Sequence, residues 1–191
     1  MSLSFFLLLI FSYLLGAVPF GLLWGRVFAD VDIREFGSGN IGATNMNRVL
    51  GRKLGAATLA SDILKAIVPV GMAQLFLHND FQVACVGVAA VLGHCYPIYL
   101  KFKGGKGVAS SFGIMLWIAP FSALVALVLW LLTYRFTKIS SLSAIIATSC
   151  LPLVVFFEKS LDVALVVLVL CLLVVFRHRE NIERLRQGKE K

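Results

Sequence analysis

The chain has 191 residues, of which 59% are hydrophobic and only 15% are charged. Soluble domains contain about 45–50% apolar and about 25% charged residues, so this composition excludes disordered, collagen-like and coiled-coil chains and almost any water-soluble globule. The net charge of +8 does not favour nucleic acid, because the basic residues lie in short gaps between apolar runs, as on a cytoplasmic membrane face that binds anionic ligands. We expect one polytopic membrane domain over residues 1–191.

The apolar runs predict membrane-spanning helices. The first run, over residues 3–24, is long enough at 1.5 Å per residue to cross a bilayer core of about 30 Å. No basic segment precedes it, since the first positive charge is Arg26. We therefore interpret it as a retained helix with its N-terminus outside, rather than as a secretory signal. Six further runs lie near residues 54–77, 81–93, 108–117, 121–134, 139–157 and 161–176.

Residues 108–134 allow two interpretations, one long helix or two short helices that meet at Pro120. Proline lacks the N–H that a continuing helix needs and clashes with the preceding turn. With two helices the chain has seven spans, and 16 of its 18 Lys and Arg lie on one side, the exceptions being Lys65 and Lys159. The positive-inside rule thus predicts an all-α integral membrane protein with seven transmembrane helices, some short or broken. The C-terminus is then cytoplasmic, and Pro120 lies near the outer side of a hairpin.

The first of three polar segments on the predicted cytoplasmic side covers residues 37–48. Gly37, Gly39 and Gly42 fit the G-x-G-x-x-G pattern, but transmembrane helices flank it instead of a βαβ unit, which excludes a Rossmann nucleotide site. Glycine-rich backbone can still direct N–H groups at an anion, and an arginine adds a bidentate cation. The alternative is a polar loop that only joins helix ends. The candidate phosphate-binding residues here are Ser38, Gly39, Asn40, Thr44, Asn45 and Arg48.

The second polar segment covers residues 93–107 and leads directly into a predicted helix start at Val108. A helix N-terminus offers free N–H groups to phosphate, and Lys106 adds a point charge. The spacing is not that of a Walker A motif, so we expect no ATP hydrolysis. The alternative is a flexible turn with a snorkelling lysine. The candidate phosphate-binding residues here are Gly104, Gly105, Lys106 and Gly107.

Ionisable residues within or beside the spans complete the candidates. Asp62 and Lys65, at i and i+3, form either a neutralising pair or, with His94, a pocket wall; His94 also suits a structural role. His178 lies between two arginines in the third polar segment, residues 177–181, and these cations favour its neutral form. The four cysteines have no metal-type spacing and are expected to be free thiols. No metal site and no cofactor are predicted.

Together the three segments resemble the acyl-phosphate-dependent glycerol-3-phosphate acyltransferase family, PlsY. The resemblance rests on G-S-G-N-I-G-A-T-N, on G-H-x-Y-P with F-K-G-G-K-G-V-A, and on R-H-R-E-N-I-x-R-L, and it covers nearly the whole chain. It implies a seven-helix enzyme of the bacterial inner membrane with a cytoplasmic site. Such an enzyme moves a fatty acyl group from acyl-phosphate to the sn-1 hydroxyl of glycerol 3-phosphate, the first acylation of phospholipid synthesis. The products are 1-acylglycerol 3-phosphate (lysophosphatidic acid) and phosphate.

The resemblance also implies roles for individual residues. The family's phosphate-binding serine and arginine match Ser38 and Arg48, and its glycine-flanked lysine matches Lys106. Its third-motif histidine and asparagine match His178 and Asn181, which with Ser38 form the expected catalytic set. The proton acceptor stays open between a substrate phosphate oxygen and His178.

The expected partners are glycerol 3-phosphate, acyl-phosphate and membrane phospholipids. The alternative function is a membrane carrier or binding protein for phosphorylated solutes or lipids, which small helical membrane proteins with broken spans can be. The clustering of the polar segments on one face of the predicted bundle opposes this alternative.

Overall fold

In a computed structural model, which describes residues 2–190, the chain folds into ten α-helices. Two short 3-10 turns, Ile33–Glu35 and Ile98–Leu100, lie in the longer connections. No strand occurs within residues 2–190, which confirms the predicted all-α class. The helices are α1 (Leu3–Gly16), α2 (Phe20–Ala29), α3 (Ala43–Leu50), α4 (Arg52–Phe76), α5 (Asp80–Cys95), α6 (Val108–Ile118), α7 (Pro120–Thr137), α8 (Ser140–Glu158), α9 (Leu161–Arg177) and α10 (Arg179–Arg186).

Five stretches of the described chain are long and apolar enough to cross a membrane: α1 together with α2, then α4, α5, α7 and α8. A sixth is counted when α9 is continued into α10 across a bend of 58°. Because α10 is rich in charged residues, the apolar part of this stretch ends with α9 at Arg177. The remaining apolar helix, α6, has only 11 residues and extends about 16 Å at 1.5 Å per residue.

The first predicted span is broken rather than continuous. α1 ends and α2 begins on either side of Pro19, because a proline has no N–H with which to extend the helical ladder. The break leaves the Val18 carbonyl open to a side chain, and Lys65 Nζ of α4 donates to it at 2.8 Å. The expected single helix over residues 3–24 is therefore two helices, and the gap between them receives a charged group from α4.

The ambiguous stretch also forms two helices, which confirms the predicted break at Pro120. α7 begins at Pro120, where the missing N–H removes no helical hydrogen bond because first-turn N–H groups have no partner within the helix. The next two N–H groups, of Phe121 and Ser122, donate to the Glu158 carboxylate at 3.1 and 2.7 Å. Of these two helices only α6 is short, because α7 has 18 residues.

Small side chains and interhelical hydrogen bonds hold the helices together. The buried core is made largely of Ala and Val. Between α1 and α5, Ser12 Oγ donates to the Val86 carbonyl at 2.6 Å and Tyr13 Oη to the Tyr96 carbonyl at 2.8 Å. Such contacts drive helix association in lipid, which is itself as apolar as leucine. Many large apolar side chains lie outside instead, and Phe157 is 79% exposed, as expected of a surface that faces lipid.

The two ends of the bundle differ in what they carry. At one end, called the site end below, Thr44 near the start of α3 lies beside Ser140 at the start of α8, and Arg177 at the end of α9 contacts Gly105 just before α6. The other end carries the start of α7 and the end of α8, joined through Glu158. Because α6 leaves from the site end and α7 returns to it, the two form an antiparallel pair. All three polar segments lie at the site end.

Candidate active site

The first polar segment is organised by one buried side chain, Asn45 of α3, which is 2% exposed. Asn45 Nδ2 donates to the Phe36 and Asn40 carbonyls at 3.0 and 2.9 Å, and Asn45 Oδ1 accepts from the Ser38 N–H at 2.8 Å. Asn40 Oδ1 accepts in turn from the Gly42 N–H at 2.8 Å, a local turn that Asn side chains favour. The amides of Asn45 and Asn40 therefore shape the loop from within.

The exposed residues of this segment are Gly37, Ser38, Gly39, Thr44, Asn47 and Arg48. Thr44 and Arg48 lie four residues apart on α3, so their side chains share one face of the helix. Thr44 Oγ1 is 3.3 Å from Ser140 Oγ at the start of α8. This face of α3 thus presents a hydroxyl and a guanidinium at the site end.

The glycine-rich segment is held from two sides. Arg177 donates from Nε to the Gly105 carbonyl at 3.0 Å and from Nη2 to the Gly104 carbonyl at 2.9 Å, while its guanidinium lies 5.0 Å from the centre of the Tyr96 ring. From the other side, the Gly105 N–H donates to the His94 carbonyl at 3.0 Å. Arg177 was not among the site residues predicted from the sequence, because a bond to main-chain carbonyls leaves no pattern in the residue types.

Two glycines of this segment are required for steric reasons. A Cβ on Gly105 would collide with the His94 ring. Gly107 directly precedes α6 and has a φ of +87°, a backbone conformation that residues other than glycine rarely adopt. The backbone therefore turns into α6 at Gly107, and the open N–H groups of the α6 N-terminus lie at the site end next to Lys106.

Lys106 joins the second polar segment to the third. Its Nζ donates to Asn181 Oδ1 of α10 at 2.6 Å. Burial lowers the pKa of Lys106 to about 8, with the nearby Glu190 carboxylate opposing and the Arg184 and Arg177 cations adding to the effect. Lys106 is still mostly protonated at neutral pH, and its ammonium is partly withdrawn from water. Both properties strengthen its attraction for an anion.

His178 is 2% exposed and connects α9 to α10. Its Nδ1 lies 2.8 Å from the Val174 carbonyl. A carbonyl can only accept, so Nδ1 carries the hydrogen and Nε2 is the acceptor of the neutral ring. Burial lowers the pKa of His178 to about 4; the Val174 bond opposes this shift, and Lys106 and Arg177 add to it. This shift agrees with the expected neutral form, but burial rather than the neighbouring cations is its main cause.

The charged residues of the second span form a buried cluster behind the glycine-rich segment. Lys65 Nζ lies 2.8 Å from Asp62 Oδ1, and His94 Nδ1 is 3.6 Å from the same oxygen, with all three side chains at most 4% exposed. The predicted neutralising pair is therefore formed. His94 is wedged between this pair and Gly105, so the cluster supports the glycine-rich segment from within the bundle rather than from the exposed face of the site.

A further set of contacts at the site end was missed from the sequence. Ser141 Oγ, Asn181 Nδ2 and Arg184 Nε donate to the Glu190 carboxylate at 2.7, 2.5 and 2.6 Å. Ser141 lies beside Ser140, which contacts the first segment, so the start of α8 links the first segment to the third. Neither two serines at a helix start nor an acidic residue in a basic tail is a distinctive signal.

The donor set suits an anion rather than a metal. Cationic side chains, hydroxyls and helix N–H groups meet at the site end, whereas within residues 2–190 no group of three or more His, Cys, Asp or Glu could hold a metal ion. The four cysteines are free thiols, as predicted, with Cys95 and Cys171 buried and the other two half-buried. Fold and site together define a polytopic membrane protein in which cationic side chains, hydroxyls and helix N–H groups meet at one end of the helical bundle.

Comparison with known proteins identifies the family. Residues 6–188 match the family model described as glycerol-3-phosphate acyltransferase, and the chain belongs to that family, as its three motifs predicted. Proteins named glycerol-3-phosphate acyltransferase from Syntrophotalea carbinolica and Geobacter sulfurreducens are 46% and 48% identical to it. The matches cover 98% and 94% of this chain and 96% and 92% of those relatives.

Two solved structures have the same fold. Both are crystal structures of PlsY (YgiH), an integral membrane glycerol 3-phosphate acyltransferase, one in the glycerol 3-phosphate form and one in the lysophosphatidic acid form. Their TM-scores to this chain are 0.93 and 0.92, with 39% and 38% sequence identity. Each match covers 98% of this chain and 94% of the solved one.

We expect His178 to remain neutral, as the Nδ1–H tautomer, from about pH 5 to pH 8. Its pKa of about 4 lies below the value of about 6.5 in an unfolded chain, so the unfolded state binds the proton first as the pH falls. This group therefore leaves stability unchanged above pH 6.5 and reduces it between pH 6.5 and 4. Histidine ¹⁵N chemical shifts of the protein in detergent micelles measure the pKa and the tautomer of His178. The His178 signals are assigned by comparison with the His178→Gln variant. A pKa between 6 and 7 would contradict the buried geometry.

Proposed function

We propose that this chain, a glycerol-3-phosphate acyltransferase of a bacterial membrane, takes its acyl group from acyl-phosphate and transfers it to the sn-1 hydroxyl of glycerol 3-phosphate. The products are 1-acylglycerol 3-phosphate and inorganic phosphate, the first acylation step of phospholipid synthesis. The observation that carries the proposal is the hydrogen bond from Lys106 to Asn181, which brings the second and third polar segments together at the site end. Relatives solved in glycerol 3-phosphate and lysophosphatidic acid forms support the acceptor and the product.

The two substrates both carry phosphate, so the site must hold several negative charges close together. Two unit charges 4 Å apart interact by about 4 kcal/mol at an effective dielectric near 20. Arg48 and Lys106 supply opposite charge, and the α6 N-terminus supplies N–H groups. The proposed phosphate-binding residues are Ser38, Gly39, Thr44, Arg48, Gly104, Gly105, Lys106 and Gly107. Asn40 and Asn45 contribute by shaping the first loop.

The reaction needs little acid–base assistance from the protein. Acyl-phosphate is a mixed anhydride, so phosphate leaves readily when the acceptor hydroxyl attacks the carbonyl carbon. Holding the hydroxyl against the carbonyl can lower the activation barrier by up to about 7–11 kcal/mol in ideal cases. In our proposal Ser38, His178 and Asn181 do this by hydrogen bonding, with His178 Nε2 as an acceptor.

We assign the proton to a substrate phosphate oxygen rather than to His178. A general base works best when its pKa is close to the operating pH. The second pKa of a phosphate ester is about 6, whereas the pKa of His178 is about 4. A phosphate oxygen is therefore the stronger base of the two at neutral pH.

We further propose seven transmembrane spans in the inner membrane, with the N-terminus outside and the site end and C-terminus in the cytoplasm. The antiparallel α6 and α7 support this count, because they return the chain to the site end before α8 begins. The distribution of charge supports the orientation, since 16 of 18 Lys and Arg then lie on the cytoplasmic side. The outer end retains the ion pair of Asp80 and Lys159 at 3.5 Å.

Phosphate release by the purified protein tests the proposed reaction. We expect inorganic phosphate to appear only when acyl-phosphate and glycerol 3-phosphate are both present, in equal amounts with lysophosphatidic acid. The rate should be unchanged in excess EDTA, because Mg²⁺ prefers clustered carboxylate oxygens and the described site offers cations instead. Movement of substrate across the membrane of vesicles without phosphate release would indicate a carrier. Loss of activity in EDTA that is restored by Mg²⁺ would indicate that a metal ion takes part.

Arg48 and Lys106 should respond differently to exchange of one cation for another. Arg48→Lys keeps the charge but loses the planar fork that grips two phosphate oxygens, with each lost hydrogen bond worth about 1.5–3 kcal/mol. We expect it to raise KM for glycerol 3-phosphate more than KM for acyl-phosphate. Lys106→Arg should be milder, because backbone N–H groups supply the directional contacts there. Steady-state kinetics with each substrate varied decide this, and an unchanged KM for glycerol 3-phosphate in Arg48→Lys contradicts the assignment.

Single-cysteine labelling tests the seven-span topology. In a variant with its four cysteines replaced by alanine, Ser2→Cys should react with a membrane-impermeant maleimide added outside intact spheroplasts, and Lys189→Cys should react only after the membrane is opened. The reason is that an odd number of spans leaves the two ends on opposite sides. Labelling of both positions from the same side would contradict seven spans.

A further inference from the structure

The C-terminal tail folds back onto the site through one carboxylate. The side chain of Glu190 is only 8% exposed although it lies two residues beyond the glycine that follows α10. It accepts hydrogen bonds from Ser141 Oγ at 2.7 Å, from Asn181 Nδ2 at 2.5 Å and from Arg184 Nε at 2.6 Å. One mostly buried carboxylate therefore accepts three hydrogen bonds from two helices, α8 and α10. This is a specific contact and not a loose association of the tail with the surface.

The contact determines which way round the Asn181 amide lies. An amide presents a donor at one end and an acceptor at the other. With Nδ2 toward the Glu190 carboxylate, Oδ1 faces Lys106 Nζ, which donates to it at 2.6 Å. In the reverse orientation the amide oxygen would meet a carboxylate and the amide N–H would meet an ammonium, and both contacts would be repulsive. Removing the carboxylate removes half of this preference.

We propose that Glu190 is a positioning residue of the acyltransferase site, which acts by orienting the Asn181 amide and, through it, the Lys106 ammonium. The inference rests on the proposed function, in which Lys106 holds substrate phosphate. In this proposal Glu190 itself contacts neither substrate. Its charge is balanced within the tail by Arg184, three residues after Asn181 on the same helix, so the positive charge of Lys106 stays available to the substrate.

The same carboxylate has an opposite interpretation, as an anion that occupies the phosphate site and competes with substrate. The contacts favour positioning, because Lys106 Nζ bonds to the amide oxygen of Asn181 and Glu190 takes the other end of that amide. A competing carboxylate would instead be expected to pair with the Lys106 ammonium directly. The two interpretations predict opposite effects on turnover when Glu190 is removed.

The first experiment measures kcat/KM for glycerol 3-phosphate in the full-length protein. We expect about a tenfold loss for Glu190→Ala, the scale of one hydrogen bond at a charged group, and a smaller loss for Glu190→Gln, whose amide oxygen can still accept from Asn181. Glu183→Gln is the matched control, because Glu183 is an exposed carboxylate of α10 that pairs with Gln187, and it should leave kcat/KM unchanged. A rise in kcat/KM for Glu190→Ala would overturn the proposal in favour of a competing tail.

The second experiment asks whether Glu190 acts through Asn181. The affinity for glycerol 3-phosphate is measured by titration calorimetry, which does not require turnover. Four proteins are compared: the parent, the single variants Asn181→Ala and Glu190→Ala, and the double variant that carries both changes. We expect Glu190→Ala to weaken binding in the parent and to have less than a twofold further effect once Asn181 is removed. An equal loss in both backgrounds would indicate general destabilisation and overturn the proposal. Wild-type protein without any turnover would instead contradict the proposed function.

A pH profile supplies a readout that a purely structural role would not move. The charged groups around Lys106 are Glu190 and Glu180, which raise its pKa, and Arg184 and Arg177, which lower it; His178 beside it is neutral. Without the Glu190 charge, Lys106 loses its proton at a lower pH than its present value of about 8. The alkaline limb of kcat/KM should therefore move to lower pH in Glu190→Gln and stay in place in Glu183→Gln. An alkaline limb unmoved in Glu190→Gln would contradict the proposed link to Lys106.

Discussion

The site depends on the paired hydrogen bonds from Arg177 to the carbonyls of Gly104 and Gly105. A guanidinium has parallel N–H groups that match two neighbouring acceptors, and it keeps its charge under all relevant conditions. Directing both carbonyls toward the end of α9 sets the path of the glycine-rich segment, so that Lys106 reaches Asn181 and the backbone turns into α6. Arg177 also directly precedes His178, so one helix end determines the position of both the segment and the histidine.

The distribution of charge separates a neutral interior from a positive end. Within the bundle, Asp62 and Lys65 neutralise each other, as buried charges must when water is absent. At the site end the balance is positive, because Arg48 and Lys106 both lie there and, in our proposal, bind substrate phosphate. The tail carboxylate of Glu190 is paired with Arg184 in α10. Negative charge is thereby present at the site end without cancelling the lysine.

The helix breaks near Pro19 and Pro120 each form a hydrogen bond to another helix of the bundle. A broken helix in a membrane leaves carbonyls and N–H groups that need partners, because lipid offers none. Lys65 bonds the carbonyl freed at Val18, and Glu158 bonds the N–H groups that follow Pro120. Each break thus recruits a charged side chain from a different helix, which ties the bundle together at the points where its helices are interrupted.

Much of the fold followed from local properties of the sequence. Apolar runs, the break at Pro120 and the one-sided charge predicted a helical membrane bundle with its polar segments at one end, because hydropathy and proline act on the residues that carry them. The three motifs named the family for the same reason. The break at Pro19 was missed, because the run over residues 3–24 has the right length for one span and was interpreted as a single helix in spite of its proline.

The sequence by itself therefore determined the class of protein, the family and the residue types of the site. Only the tertiary structure decided how those residues meet, because Lys106 and Asn181 are 75 residues apart in the chain and Ser141 and Glu190 are 49 apart. Arg177 and Glu190 bind a main-chain carbonyl pair and a side-chain amide, groups that no spacing in the sequence reveals. Hydrogen bonds of this kind depend on distances of about 3 Å in space, and those distances are set by the packing of helices far apart in the chain.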